Sequence, residues 1–297
     1  MCGIVGLFLK NPDLEPRLGA LLSTMLETMT GRGPDSAGFA VYGADGAGVK
    51  LTLRGADKAS LADAVARLES RLGRGVEAVA RDTHTVIDVP AALEGDVRGF
   101  LGAEAPGIDV VSAGRRMEIY KEVGLPAAVA ARFDLAGMTG THGIGHTRMA
   151  TESAVTTNGA HPFSTGIDEC LVHNGSLSNH NDMRRRLKRE GLTFATKNDT
   201  EVAAGYLSWR MREGASLKQA LESSLSDLDG FFTFVVGTET GFAVVRDPIA
   251  CKPAVMAETD DYVAFGSEYR ALVGLPGIAS ARVFEPEPAK VYAWERH

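Results

Sequence analysis

The sequence is short of cysteine, of aromatic side chains and of long apolar runs. Its 297 residues hold three cysteines, Cys2, Cys170 and Cys251. An odd number without paired spacing excludes a disulfide framework and a Cys-x-x-Cys metal site, and a reducing, cytoplasmic setting is the expectation. No apolar stretch approaches the ~18–20 residues of a membrane-spanning helix; the longest cluster, Phe231 to Val236, is the size of a strand. The start of the chain lacks the basic segment and cleavage pattern of a signal peptide. Lys and Arg, at 31, are outnumbered by Asp and Glu, at 38, for a net charge of −7, so no overall field draws nucleic acid or anionic lipid. The one basic run, Arg184 to Arg189, reads as a solvated helix face. What remains is ordinary globular material, 44% hydrophobic and 23% charged, with enough length for a substantial core.

Ile4, Val5, Leu7 and Phe8 predict a buried strand that begins almost at the first residue. Apolar spacing from Leu18 to Met29 predicts an amphipathic helix, followed by the turn-rich Thr30 to Asp35. Residues 39–42 and 49–53 read as a hairpin joined across Gly43 to Gly48, and 110–123 as another. The texture from about 55 to 137, a mixture of helical and strand-like pieces, reads as a small inserted α+β subdomain within a domain spanning 1–297. Strands return from residue 141, with helices expected over 178–191, 199–212 and 216–228. Strands cluster at both ends with helices between them, which predicts an α+β arrangement of stacked sheets and helices rather than alternating βαβ units.

Cys2 carries the most chemistry. Initiator methionine is commonly trimmed before a small side chain, and trimming leaves a thiol and a free α-amine on one residue. With reference pKa values near 8.5 and 7.7–8.0, the amine can accept the thiol proton, directly or through a water, so nucleophile and base share a residue. Val172-His173-Asn174-Gly175 closes a strand; the Asn174 amide and the Gly175 backbone N–H offer two donors for an oxyanion, although a plain Asn-Gly turn accounts for the same letters. Arg148, within Gly145 to Thr151, offers a bidentate fork for a carboxylate, or else a surface ion pair. Asp199, in Asn198-Asp199-Thr200-Glu201, reads as a helix N-cap or as a carboxylate that receives an α-ammonium. Arg148 and Asp199 together suit a free α-amino acid. The histidines at 142, 146, 161 and 173 show no spacing for a metal site, and no metal is expected. Cys170, Trp209 and Trp294 read as packing residues.

These pieces resemble the class II glutamine amidotransferase domain, an N-terminal nucleophile hydrolase. The matching segments are Cys2 to Gly6, Arg32 to Gly38, Gly145 to Thr151, Gly159 to Pro162, His173 to Gly175, Asn198 to Glu201, Asp229 to Phe232 and Arg246 to Pro248, in family order across nearly the whole chain. The resemblance implies a four-layer αββα sandwich that hydrolyses L-glutamine to glutamate and ammonia through a Cys2 thioester. It implies that Asn174 and Gly175 form the oxyanion hole. It assigns Arg148 and Thr151 to the glutamine carboxylate, Asp199 to the α-ammonium and Arg32 to the substrate-side loop near the chain start. The segment Ile249 to Pro253 departs from the family's Gly-and-Arg form, so no contact is carried over there.

No nucleotide or flavin motif remains in the chain, so the resemblance implies that a separate synthase subunit accepts the ammonia. The nearest likeness is to stand-alone glutaminase subunits related to glutamate synthase, including those of N-methylglutamate synthases. Any flavin or iron–sulfur cofactor would then sit on the partner. The alternatives are an independent amidase for another γ-glutamyl compound, and a non-catalytic subunit that keeps the fold.

Overall fold

The computed structural model describes residues 2–150 and 154–296. In chain order its strands are β1 (Gly3–Leu9), β2 (Ser36–Tyr42), β3 (Val49–Arg54), β4 (Glu77–Arg81), β5 (His84–Val89), β6 (Asp109–Gly114), β7 (Met117–Val123), β8 (His142–Arg148), β9 (Phe163–Gly166), β10 (Glu169–Leu177), β11 (Gly230–Gly237), β12 (Gly241–Arg246), β13 (Val255–Glu258), β14 (Tyr262–Gly266), β15 (Arg282–Phe284) and β16 (Val291–Glu295). The helices are α1 (Leu18–Thr28), α2 (Lys58–Leu72), α3 (Glu94–Glu104), α4 (Pro126–Arg132), α5 (His180–Arg189), α6 (Asp199–Arg212) and α7 (Leu217–Asp227).

Two sheets form the body: β15-β13-β14-β1-β8-β2-β7 and β16-β12-β11-β10-β9. Their central strands are buried on both faces, and the period of two shows in where each side chain goes. Along β1, Val5, Leu7 and Leu9 pack with Leu22, Leu26 and Phe133 in a layer under α1 and α4. Ile4 and Phe8 point the other way and meet Val172, Val235 and Phe242 between the sheets. On the far side, Phe232, Phe234 and Val236 of β11 pack against α6 and α7 through Ala203, Leu207 and Leu221. The order helix, sheet, sheet, helix is the expected four-layer αββα sandwich.

A third sheet, β4-β5-β3-β6, carries α2 and α3 on a core of its own that includes Leu51, Leu61, Ile87 and Phe100. It differs from the sequence expectation at its edges. Neither expected hairpin forms. β2 pairs with β7 and β8 in the seven-stranded sheet, while β3 pairs with β5 and β6 in the small one. The third sheet and its helices therefore span 49–114. β7 lies in the large sheet, and Val129 and Ala130 of α4 pack into its helix layer. Local pattern marks strands but does not choose their partners, and consecutive strands here belong to different sheets. Among the described residues no helix is long and apolar enough to cross a membrane.

Candidate active site

The period of two also aims the first residues of the chain. Cys2 has the parity of Ile4 and Phe8, so its side chain lies on the face turned toward the second sheet. On β10, Asn174 has the parity of Cys170 and Val172, which face back. The two residues meet there: Asn174 Nδ2 donates to the Cys2 carbonyl oxygen over 3.2 Å. That carbonyl also accepts from Arg32 Nε at 2.9 Å. Next along the strand, Ile4 N donates to Ser267 Oγ and Ser267 N donates to Ile4 O, both at 2.9 Å. Gly3 has no room for a side chain, because a Cβ would stand 2.8 Å from Thr147 Oγ1 and 2.9 Å from Met29 Cβ. The chain start is thus clamped between β8, β10 and β14 rather than frayed.

Cys2 is half-buried, and its Sγ lies 4.0 Å from the Met149 carbonyl. It opens on a cleft of about 560 Å³ whose lining includes Arg148, Gly175, His161, His173, Lys197 and Asp199. Four of the residues singled out in the sequence, Cys2, Arg148, Gly175 and Asp199, therefore share one space. Gly175 adopts φ +152°, and a Cβ would fall 1.9 Å from the Phe231 carbonyl oxygen, so only glycine fits this turn of β10. Arg148 is buried at the end of β8, and its Nη1 donates to Ala154 O at 3.3 Å. Asp35 holds the same strand end: its N donates to Arg148 O, and its Oδ2 accepts from Ala150 N at 2.8 Å. Thr151 lies outside the described residues.

Two expectations change. Asn198, not Asp199, caps α6, its side chain accepting from Thr200 N at 2.8 Å. Asp199 is the first helical residue, and its Oδ2 accepts from Leu177 N of β10 at 3.0 Å. This position leaves the carboxylate facing the cleft while tying the helix start to the strand that carries Asn174. Arg32, expected on the substrate, stands outside the cleft lining. It is buried, holds the Cys2 carbonyl and pairs with Glu268 at 2.8 Å. Glu268 follows β14 in a Gly-Ser-Glu turn that gives no sign of this in the sequence.

The sequence also missed how three histidines pack at the wall of the cleft. His146 and His161 stack with ring centroids 4.0 Å apart. His161 Nε2 and His173 Nδ1 share the Thr200 hydroxyl at 2.7 and 3.1 Å, and His146 Nε2 donates to the His173 carbonyl at 3.1 Å. Burial is the leading cause that pushes all three below the ordinary histidine range, His146 to about 3. They form a neutral, packed relay from β8 through β10 to the start of α6. Among the described residues no group of three or more His, Cys, Asp or Glu is arranged to hold a metal ion. Cys170 is buried beside the Tyr42 hydroxyl, and its thiol is pushed up to about 12; Cys251 is exposed.

A two-sheet αββα sandwich whose first strand presents a leading cysteine to a cleft defines the class: an N-terminal nucleophile hydrolase fold. Residues 146–274 match the glutamine amidotransferase domain family. The chain is 63% identical, over 99% of its own length and 98% of the relative's, to the glutamine amidotransferase-like protein GlxB of Rhizobium meliloti. It is 37% identical, over 51% of its length and 25% of the relative's, to a glutamine–fructose-6-phosphate aminotransferase of Xylella fastidiosa. Among solved structures it matches glutamine phosphoribosylpyrophosphate amidotransferase of B. subtilis with a TM-score of 0.63 at 20% identity. That match covers 99% of this chain and 47% of the B. subtilis one, so the chain spans about half of that enzyme. The chain belongs to the class II glutamine amidotransferases.

Proposed function

We propose that this chain hydrolyses L-glutamine to glutamate and ammonia, with Cys2 as nucleophile. The observation that carries the reading is the convergence of Cys2, Gly175, Arg148 and Asp199 on one cleft of a size that suits a free amino acid. Arg148 and Thr151 take the α-carboxylate and Asp199 the α-ammonium, leaving the side-chain amide directed at the sulfur. Once Met1 is removed, the α-amine of Cys2 accepts the thiol proton and the sulfur attacks the amide carbon. The oxyanion is met by the Gly175 N–H and by the second N–H of the Asn174 amide, the first being held on the Cys2 carbonyl. Carbon–nitrogen cleavage returns the proton to the leaving group as ammonia and leaves a thioester. Water, deprotonated by the same amine, then releases glutamate and restores the thiol. Arg32 positions Cys2 through its carbonyl without touching substrate.

The acceptor of the ammonia lies on another polypeptide in this reading, a synthase subunit of the glutamate synthase or N-methylglutamate synthase kind in the cytoplasm, with any flavin or iron–sulfur centre on that partner. The glutaminase part of this reading is supported by the likeness to GlxB, and the synthase partner rests on the family resemblance. The test is glutamate release from glutamine, set beside a panel of other γ-glutamyl amides. Glutamine should be hydrolysed best and partner addition should stimulate it; preference for another amide would replace the reading with an independent amidase.

A further inference from the structure

Residues 154–162, the loop before β9, form one wall of the cleft through Ala154, Thr156, Gly159 and His161. It has no strand pairing to hold it; side chains of β7 do so instead. Lys121 has the parity of Met117 and Ile119, which point between the sheets. Its ammonium is buried under the loop and donates to three of the loop's carbonyls, Asn158 O at 3.5 Å, Ala160 O at 2.9 Å and Pro162 O at 3.3 Å, while lying 4.5 Å above the Phe163 ring. Among the described residues no carboxylate lies within salt-bridge distance of it. Glu122, on the opposite face of β7, accepts from Thr157 and from Thr83 in the β4–β5 turn. Asn158 Nδ2 reaches Asp109 Oδ2 on β6 at 3.2 Å.

A lysine is desolvated at a cost, and here that cost is met by hydrogen bonds to loop carbonyls and by the Phe163 ring, with no carboxylate paired directly to it among the described residues. The loop in turn supplies a carbonyl that accepts from Arg148, that of Ala154, and Gly159 packs closely beside the guanidinium, since a Cβ there would come 3.3 Å from Arg148 Nη1. We propose that Lys121 is a positioning residue for glutamine binding, setting the 154–162 wall and through it the Arg148 guanidinium. This rests on the glutamine-hydrolysis reading above. The charge it depends on is titratable: burial brings Lys121 down to about 8, opposed by Glu201 of α6 and Asp109 of β6 and assisted by Arg54 of β3. His161 of the loop and His84 of β5 also face it, both neutral. Above about pH 8 one of the three N–H groups is lost and the wall loosens.

The experiment is steady-state glutamine hydrolysis by the full chain and by Lys121→Met across pH 6.5–9.5, with Cys2 alkylation by iodoacetamide as the measure of an intact nucleophile. The parent should show a KM that is flat below about pH 8 and rises above it. The Met variant should show a KM about tenfold higher at pH 7, a kcat within about twofold, no rise in KM with pH and an unchanged alkylation rate. Equal KM in both, or the same alkaline rise in both, overturns the inference while leaving the hydrolysis reading intact. Absence of glutamine hydrolysis in the parent instead defeats the underlying reading. Should the Met variant fail to fold, Thr157→Val releases the loop from the other face of β7, and the same KM increase is expected of it.

Discussion

At the scale of single residues, each proposed role makes a separate demand on geometry. Gly175 is held at φ +152° with a backbone carbonyl where a methyl would sit. Gly175→Ala should therefore lower stability by about 3 kcal/mol or more and abolish turnover, read by urea unfolding and by glutamate release. Arg148→Lys keeps the charge but loses the fork, and Asp199→Asn keeps the Leu177 contact but loses the charge. Each should raise the glutamine KM by about tenfold to a hundredfold with a smaller effect on kcat. A KM unchanged in both would remove these residues from the substrate. Cys2 stood out by its chemistry, whereas Asn174 and Gly175 were marked by the resemblance, since a plain Asn-Gly turn carries the same letters. Ser267 and Glu268 were not, since a serine and a glutamate after a strand look the same whether they face solvent or clamp the first residues of the chain. Arg32 was legible as part of the loop near the chain start, and there it holds the Cys2 carbonyl and Glu268; the Glu268 contact was not legible.

At the scale of elements, the cleft is an encounter of three ends: β1 at its start, β10 at its close and α6 at its first turn. Asn198 sets the last of these, aided by Arg184, which donates to the Thr196 and Asn198 carbonyls. Asn198→Ala should cost about 1 kcal/mol of stability and raise the glutamine KM, because it frees the turn that carries Asp199. Urea unfolding and kinetics on one preparation check both; a stability loss with unchanged KM would separate the cap from the site. Helix positions were readable, α1 from its apolar spacing, and the helix expected over 199–212 coincides with α6. Strand partners were not. β2 and β3, like β6 and β7, follow each other closely in the chain, and nothing local says that 49–114 builds its own sheet while the strands on either side join the large one. The histidines at 146, 161 and 173 are far apart in sequence and converge only because β8, β10 and the loop before β9 do.

At the scale of the whole molecule, burial of neutral histidines makes stability depend on pH. His84, His142 and His146 are all brought to about 3, burial being the first cause in each. In the unfolded chain they take up protons near pH 6.5, so the unfolded state binds more protons below that value. Stability is then complete above about pH 6.5 and declines as pH falls toward 3, by about 1.4 kcal/mol per pH unit for each such histidine. Urea midpoints measured from pH 7.5 to 4.5 should fall steeply below 6.5, and a flat profile would contradict the buried neutral cluster. The proposed activity rests on one residue, Cys2, however. The most direct measurement is glutamate release from glutamine by the purified chain, with its N-terminal residue confirmed as Cys2 by mass spectrometry, beside a Cys2→Ala variant of equal stability. The account predicts a loss on the order of 10³-fold or more in the variant; release at the parent's rate would contradict it.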